Sequence, residues 1–591
     1  MNKENTKIIS NLQEKDNVID IKEQVLHENV QPKEVKNKSN SIIYFSDKNK
    51  GLSDENGRIS DYIEVIALSR TIDSKEWKKN IHFIDMDGEI RECNISQKTL
   101  LKKQETLEML GDHGFCLSCY SDRLMMYLRY AKPSRRITEV KRIGWINAKA
   151  FICPSFIINK DKDKSFSLED NCKKATGFEE QNTLDEWKGG VCTLCEGNAI
   201  PTLSLCAGLS GIVLKQLNLN PIMINLIGRS SIGKTTALYV AASLWGNPKE
   251  FIQQWRTTSN ALEVIAESYN DCVLILDELG QVSSKDVGNI IYMLGNSKGK
   301  SRLNKDSELK ENKKWSIAVL SSGEVSISDK ITEGGSSVKA GQLVRCIDID
   351  ALRSDQFGVF DTMHDDIEDS AQFSNLLKDE TMKYYGVAAK AFIQALIDAS
   401  IDLQSLYEEH KRIIMARLGR GIDGQVIRVA ETFALLAMVG DLACTFNVFT
   451  HRGNELVDLI HGLFEEWLKN RGTTQSIEEK TVLDCLINSL EANKNRFDLA
   501  DGTFKTNSPV WWGIRKIFND SECYYIASGI FQSEIFKGFN MKVVRKILVD
   551  KKMLILDGNN KNPKCHYTKP PNKRMVTIEI KQSEMEKESA T

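Results

Sequence analysis

Cysteine is scarce in this chain, with 14 in 591 residues, far below the density of a disulfide scaffold. Most of them sit singly in apolar stretches, such as Cys272, Cys346 and Cys444, where a thiol behaves as a small hydrophobe. An excess of either charge is also missing. Lys plus Arg number 79 against 81 Asp plus Glu, a net charge of −2, so nucleic-acid binding has to come from local patches. No apolar run approaches the ~20 residues of a membrane span. The opening MNKENTKIIS stays polar where a signal peptide turns apolar. Fixed-period repeats are absent. These absences exclude secreted, disulfide-rich, collagen-like and membrane classes, and leave a protein of the reducing cytoplasm without a membrane partner. At about 150 residues per domain the length predicts three or four domains.

Residues 1–50 are rich in Lys, Glu, Asn and Gln without a sustained period and read as a disordered leader. Residues 51–180 read as an α+β domain. YIEVIAL and NIHFIDMDGEIRECNI are strand-like, with a hairpin turn at Asp87-Gly88. DRLMMYLR (122–129) is helical, RRITEVKRIGWI suggests a strand pair, and 160–174 is a polar connector. From 181 to 470 three short apolar runs, PIMINLIG, CVLILDE and WSIAVLSS, alternate with helical segments. That pattern predicts a parallel, doubly wound sheet buried on both faces. Residues 375–469 read as helical almost throughout, the material of a lid, and residues 473–591 form a small basic unit.

Gly228-Arg229-Ser230-Ser231-Ile232-Gly233-Lys234-Thr235 follows the apolar run IMINLI and opens the helix KTTALYVAASLW. A GxxxxGK[ST] match in that context is a P-loop. Its backbone N–H groups cradle phosphates, Lys234 reaches the β and γ phosphates, the Thr235 hydroxyl ligates Mg²⁺, and Thr236 continues the site. The cofactors so predicted are ATP and Mg²⁺. Asp277-Glu278 ends a second apolar run: Asp277 is placed beside the metal, and Glu278 orients and deprotonates the attacking water. Ser321 and Ser322 end a third run, at the position of a γ-phosphate sensor; a plain strand-to-loop turn is the alternative. Arg345, before the strand-like CIDID, occupies the place of an arginine finger acting on a neighbouring subunit. Its alternative is a surface Arg paired with Asp348 or Asp350.

Seven bases and three acids lie between 298 and 314. Lys298, Lys300, Arg302 and Lys305 are candidates for tracking a single-strand backbone in a pore, against the reading of a solvated loop. Residues 531–580 carry eleven bases and four acids, the steepest bias in the chain. A helix at 541–551 with apolar Val544, Ile547 and Leu548, a strand MLIL, a polar turn and a strand MVTIEI follow winged-helix order. Lys542, Arg545 and Lys546 on the helix, with Lys561, Lys564 and Lys569 in the wing, are candidates for duplex contact. Cys116-x-x-Cys119 after His113 and Cys192-x-x-Cys195 are 73 residues apart, against about 15–20 in common Cys₄ sites; the spacing disfavours a shared zinc site, and the sequence leaves zinc binding by these pairs open.

Taken together, WRTTSNALEVIAESYNDCVLILDELGQ, IYMLGNSKGKSRLNKD, WSIAVLSSGE and KAGQLVRCIDID resemble the family known as domain of unknown function 927. YLRYAKPSRRITEVKRIGWI and GQVIRVAETFALLAMVGDLA extend the resemblance over about residues 60–470. Within that family the chain is similar to the Cch-type replication helicases of cassette-chromosome mobile elements, themselves similar to hexameric MCM helicases. The resemblance implies an AAA+ core, a homo-oligomeric ring, DNA-stimulated ATP hydrolysis, a pore hairpin ahead of the third motif, and Arg345 as the finger, since VRCIDID parallels the SRFD segment of MCM proteins. It also implies a second Arg sensor, at Arg420 or Arg428. The Ser-Ser sensor departs from the family's Asn. The expected function is a ring-forming replicative helicase moving on single-stranded DNA, its C-terminal unit recognising duplex origin DNA. The rival is an origin-binding nucleotide switch that recruits a host helicase.

Overall fold

The computed structural model describes residues 19–20, 33–36, 43–48, 50–117, 120–169, 175–302, 312–364, 367, 369–418, 422–471, 477–503, 505–518, 521–555, 565–567 and 574–581. They divide into two compact units, Met1–Arg417 with Val429–Trp467, and Leu418–Arg428 with Leu468–Thr591. No helix among the described residues is long and apolar enough to cross a membrane.

The N-terminal part of the first unit is built on a five-stranded sheet ordered Ser165–Leu168, Arg136–Val140, Ile63–Thr71, Lys78–Ile84 and Ile90–Ser96. Alternation buries Ile63, Val65, Ile81, Phe83 and Ile95 against Leu110, Phe115, Leu124 and Leu128. The expected turn is present: Gly88 has φ 87° and its N–H donates to Asp85 O at 3.0 Å. Three expectations change here. Arg136–Val140 and Gly144–Asn147 are strands but do not pair with each other, because both edges of the first are taken by Ile63–Thr71 and Ser165–Leu168. Part of the polar connector is that last strand, since S-F-S-L alternation buries Leu168. Within the expected leader, Ile19–Asp20 pairs with Phe156–Asn159, and Lys33–Lys36 pairs with Ile43–Asp47.

The three apolar runs fold as predicted into one parallel sheet. Its strands are β1 (Ile222–Ile227), β2 (Gln253–Gln254), β3 (Val273–Asp277), β4 (Ala318–Gly323) and β5 (Cys346–Asp350), in the spatial order β2-β3-β4-β1-β5. Strand β4 therefore stands between the P-loop strand β1 and the acidic strand β3. Helix α1 (Ala199–Leu214) is buried along its whole length. Its interior hydroxyls donate to the preceding turn, Ser204 to Ile200 O at 3.0 Å and Ser210 to Cys206 O at 2.7 Å, so no polar group is stranded. A Cβ on Gly211 would lie 2.0 Å from Cys272 O; only glycine lets α1 lie this close to the foot of β3. Helix α2 (Lys234–Ser243) follows β1, α3 (Ser259–Ser268) follows β2, and α4 (Val287–Gly295) and α5 (Ile327–Glu333) flank β4. The helical stretch comprises α6 (Ser370–Lys383), Ala388–Ala399, Leu403–Ala416, Gly424–Thr445 and Glu455–Arg471.

The N-terminal strand Gly144–Asn147 is locked to the foot of β3. Asp271 accepts the Trp145 N–H at 3.0 Å, and Asn270 donates to Ile143 O at 2.9 Å. Gly144, at φ +106°, leaves room for the carboxylate, which a Cβ would meet at 2.2 Å. Burial, opposed by the Trp145 N–H, raises the Asp271 pKa to about 6, and its Oδ1 has no hydrogen-bond partner. A raised carboxyl pKa favours the folded state fully below the unfolded value near 4, and that contribution is lost as pH rises through about 6. Asp271→Asn is therefore expected to match the parent in stability at pH 4 and to exceed it above pH 6, by on the order of 2–3 kcal/mol. Chemical denaturation across that range checks this; a difference that does not change with pH would refute it.

The second unit has a five-stranded sheet ordered Phe497–Leu499, Gly513–Phe518, Ser521–Ala527, Arg574–Lys581 and Cys565–Tyr567. Helices Ile477–Ala492 and Met541–Asp550 pack on it through Leu486, Leu490, Val544 and Leu548. The expected helix is present, capped by Asn540, whose Oδ1 accepts the Lys542 N–H at 3.0 Å. Val544, Ile547 and Leu548 are its buried side, while Lys542, Arg545 and Lys546 are exposed. MLIL is reduced to a bridge of Leu554 to Ile578. Lys561, Lys564 and Lys569 lie outside the described residues. The hairpin Gly513–Phe518/Ser521–Ala527 was not expected from the sequence.

Candidate nucleotide site

The loop Gly228–Gly233 joins β1 to α2. Gly233 begins the helix at φ 99°, and a Cβ there would press Val359 at 2.8 Å. Ser231 is also left-handed, at φ 64°, a costly conformation for a residue with a side chain. The loop is braced from outside: Val359 N–H donates to Ile232 O at 2.9 Å, Thr236 shares a 2.6 Å hydroxyl bond with Ser374 on α6, and Arg229 bonds Asp355 at 3.0 Å. Arg229, Ser230, Ser231 and Thr235 are exposed, whereas Ile232, Lys234 and Thr236 are buried. The Lys234 ammonium donates to Gly228 O at 2.7 Å and Arg229 O at 2.8 Å. Burial pulls its pKa below the usual lysine value, against Glu324, Glu278 and Asp277.

Thr235 Oγ1 lies 3.5 Å from Asp277 Oδ2 although the two are 42 residues apart. These are the hard oxygen ligands that Mg²⁺ takes, usually few from protein and the rest from phosphate and water. Asp277 Oδ1 accepts the Glu278 N–H at 3.0 Å and the Ser322 hydroxyl. Glu278 sits at φ 63°, where β3 breaks into the turn Leu279–Gln281. Of the two candidate sensors, Ser322 faces this site. Ser321 points to the other face of β4, accepting from Trp255 Nε1 at 2.8 Å and donating to Asn225 Oδ1 at 3.0 Å. P-loop, acid pair and Ser322 thus meet at the carboxyl ends of β1, β3 and β4, where open α/β sheets place their ligands.

Arg345 lies at the start of β5, opposite the foot of β1 through the Met223–Cys346 register. The P-loop is at the other end of β1. The guanidinium donates to Gly341 O at 2.8 Å and rests 5.0 Å from the Tyr292 ring centre. Asp348 is not its partner: that carboxylate accepts from Asn225 Nδ2 at 2.7 Å and Ile327 N–H at 3.0 Å. Burial pushes the Asp348 pKa up to about 6. Arg428 is exposed; Arg420 lies outside the described residues.

The basic segment leaves α4 as a hairpin base. Lys298 bridges Lys314, Gly299 N–H donates to Lys313 O at 2.9 Å, and Trp315 N–H to Ser297 O at 3.2 Å. Lys305 lies outside the described residues. The structure divides the predicted cations. All three described cations are exposed, but only Arg302 is paired with a buried carboxylate, Glu263 on α3, at 2.8 Å. Glu263 and Glu267 escape sequence reasoning because acids on an amphipathic helix look like its wet face. Lys298→Ala with Lys300→Ala is expected to flatten the salt dependence of single-strand binding by about 1.4 in log–log slope, at about 0.7 per phosphate contact. Arg302→Ala instead leaves Oε2 of the buried Glu263 carboxylate without its partner, Oε1 keeping the Lys300 N–H at 3.2 Å, and costs about 1–3 kcal/mol of stability. Salt-series binding and denaturation separate the two; an unchanged slope returns Lys298 and Lys300 to an ordinary wet loop.

Cys192 and Cys195 are buried, one accepting the Thr450 N–H at 3.4 Å and the other donating to Val191 O at 3.2 Å, and burial drives the Cys192 thiol up to about 11. Cys116 is exposed; Cys119 lies outside the described residues. Among those residues no cluster of three or more His, Cys, Asp or Glu could hold a metal.

A P-loop on β1, an acidic pair on β3 and an additional strand between them define a P-loop α/β core. Residues 34–314 match the family described as Domain of unknown function (DUF927). Among solved structures the fold is similar to "SCCmec type IV Cch - active helicase", with a TM-score of 0.67, 16% identity, and coverage of 94% of this chain and 98% of that one. NtrX from Brucella abortus in complex with ADP is far more distant, with a TM-score of 0.18, 14% identity, and coverage of 42% and 46%. No curated protein matches.

Proposed function

We propose that this protein is an ATP-dependent DNA helicase of the AAA+ class that assembles as a ring, a hexamer by analogy, and serves replication of a mobile genetic element. The observation that carries the reading is the join of Lys234, Thr235, Asp277, Glu278 and Ser322 at one end of a parallel sheet whose α3 also holds a basic hairpin. The likeness to the Cch helicase over nearly the whole of both chains supports it. The chain's own residues divide the work. Backbone N–H groups of 228–233 and the N-terminus of α2 receive phosphates. Thr235 and Asp277 would hold Mg²⁺, which supplies charge neutralisation at the β and γ phosphates. Glu278 takes the proton of the attacking water, and Ser322 orients Asp277. The hairpin bases follow the backbone of one strand without reading sequence.

The C-terminal unit reads as a winged helix that recognises origin DNA, with Lys542, Arg545 and Lys546 exposed on the helix that would enter the major groove. Strand displacement on a forked duplex, with and without ATP, tests the reading against the nucleotide-switch alternative. ATP-dependent displacement by the parent chain is expected, lost in Lys234→Ala. Persistent failure to displace, with ATP and origin DNA both bound, would favour the switch.

A further inference from the structure

Trp255 is 2% exposed and stands between β2 and α3. Its main-chain N–H donates to the carbonyl of Asp277 at 3.1 Å, while its indole N–H donates to Ser321 at 2.8 Å. From there a directed chain of hydrogen bonds crosses the sheet. Ser321 donates to Asn225, Asn225 Nδ2 to Asp348, and Asp348 also accepts the Ile327 N–H at the start of α5. Ser321, Asn225 and Asp348 are direct partners across β4, β1 and β5, one residue below Ser322 on β4, and Asp348 is three residues along β5 from Arg345. Ser321 and Asn225 are almost wholly buried, so each bond lost within the belt leaves a polar atom without water.

The other end of this belt is mechanical. Three residues after Trp255, Thr258 caps α3 by accepting the Ala261 N–H. Helix α3 then grips both arms of the hairpin: Ser259 takes the Lys300 ammonium, Asn260 and Glu263 take Arg302, and Glu267 takes Lys313 at 2.6 Å. A force on the hairpin is thus delivered to α3. At the helix N-terminal side it meets two bonds of one tryptophan, one to the main chain of the metal-site Asp277 and one to the strand carrying Ser322.

We propose that Trp255 is the positioning residue through which the basic hairpin is coupled to the nucleotide site. The inference rests on the helicase reading, and it locates the coupling in an indole N–H that touches neither nucleotide nor DNA. A coupling of this kind changes how strongly DNA accelerates hydrolysis, not how tightly either ligand binds.

The test uses the full chain with Trp255→Phe, and beside it a chain carrying 3-benzothienylalanine at 255, which keeps the bicyclic shape but has no N–H. Hydrolysis is measured with and without an oligothymidylate, whose affinity is measured separately by anisotropy. Basal hydrolysis and oligothymidylate affinity are expected to stay within about twofold of the parent, while the acceleration by DNA falls about tenfold in both variants, within the usual range of coupling energies. Parent-like acceleration in the benzothienylalanine chain would overturn the proposal, whether or not Trp255→Phe folds. Basal rate, affinity and acceleration declining in step would show a role in stability alone and overturn it as well. A parent chain that oligothymidylate does not accelerate at all would instead remove the helicase reading on which it rests.

Discussion

Glu278→Gln is expected to bind ATP as tightly as the parent and to hydrolyse it 10²–10⁴ times more slowly, about the range a positioned general base contributes. The substitution keeps size and hydrogen bonding while removing the group that takes the proton of water. The main-chain N–H of Glu278 already anchors to Asp277 at 3.0 Å, and its φ of 63° is set by the turn rather than by the carboxylate. The loop geometry should therefore survive the change. Lys234→Ala is the contrast. It removes a buried ammonium that now spans Gly228 and Arg229 carbonyls, so ATP affinity itself should collapse. Equilibrium binding of a fluorescent ATP analogue together with steady-state phosphate release distinguishes the two variants. A Gln variant with near-parental turnover would remove Glu278 from the chemistry.

Arg345→Ala is expected to reduce hydrolysis by about 10³–10⁵, the effect of losing an arginine finger, while each subunit still binds ATP. Position supports action on a neighbour. Arg345 begins β5 beside the foot of β1, whereas the P-loop leaves the other end of β1. Within one chain the two are separated by the length of a five-residue strand. Its guanidinium is held in place by Gly341 and the Tyr292 ring. Mixing Arg345→Ala chains with Lys234→Ala chains is then expected to restore hydrolysis, because some interfaces in the mixture pair an intact pocket with an intact arginine. Absence of recovery at every mixing ratio, in a population shown to exchange subunits, would count against a finger supplied by a neighbour.

Much of the fold was legible from local pattern, because the signals were short in range. Mainly apolar runs of five or six residues have few places to go except the middle of a parallel sheet, and the runs at 222–227, 273–277 and 318–323 are there. A GxxxxGKT between strand and helix needs no long-range information either, since its glycines and helix N-terminus make the phosphate cradle by themselves. Val544, Ile547 and Leu548 mark the buried side of their helix by spacing alone. Short strands inside the leader and the connector at 160–174 escape local pattern for the complementary reason. Strands as short as Ile19–Asp20 and Ser165–Leu168 are held by partners elsewhere in the chain, Phe156–Asn159 and Arg136–Val140, and two or four residues are too few to show a period.

Sequence by itself determined which residue types could handle phosphate, metal and water: Lys234, Thr235, Asp277 and Glu278 are identifiable from motif and strand context. Tertiary structure alone decided which of two adjacent serines joins them. Ser321 and Ser322 are indistinguishable in sequence, yet β4 alternates, so one hydroxyl reaches Asp277 and the other enters the belt from Trp255 to Asp348. It likewise decided that Arg302 pairs with the buried Glu263 while Lys300 reaches only the Ser259 hydroxyl, and that Asp348 serves Asn225 rather than Arg345. The physical reason is common to all three. A side chain's chemical type is set locally, but its partner is set by strand register and helix packing, which bring together groups dozens of residues apart, and in a buried sheet each polar atom must take the partner that geometry supplies.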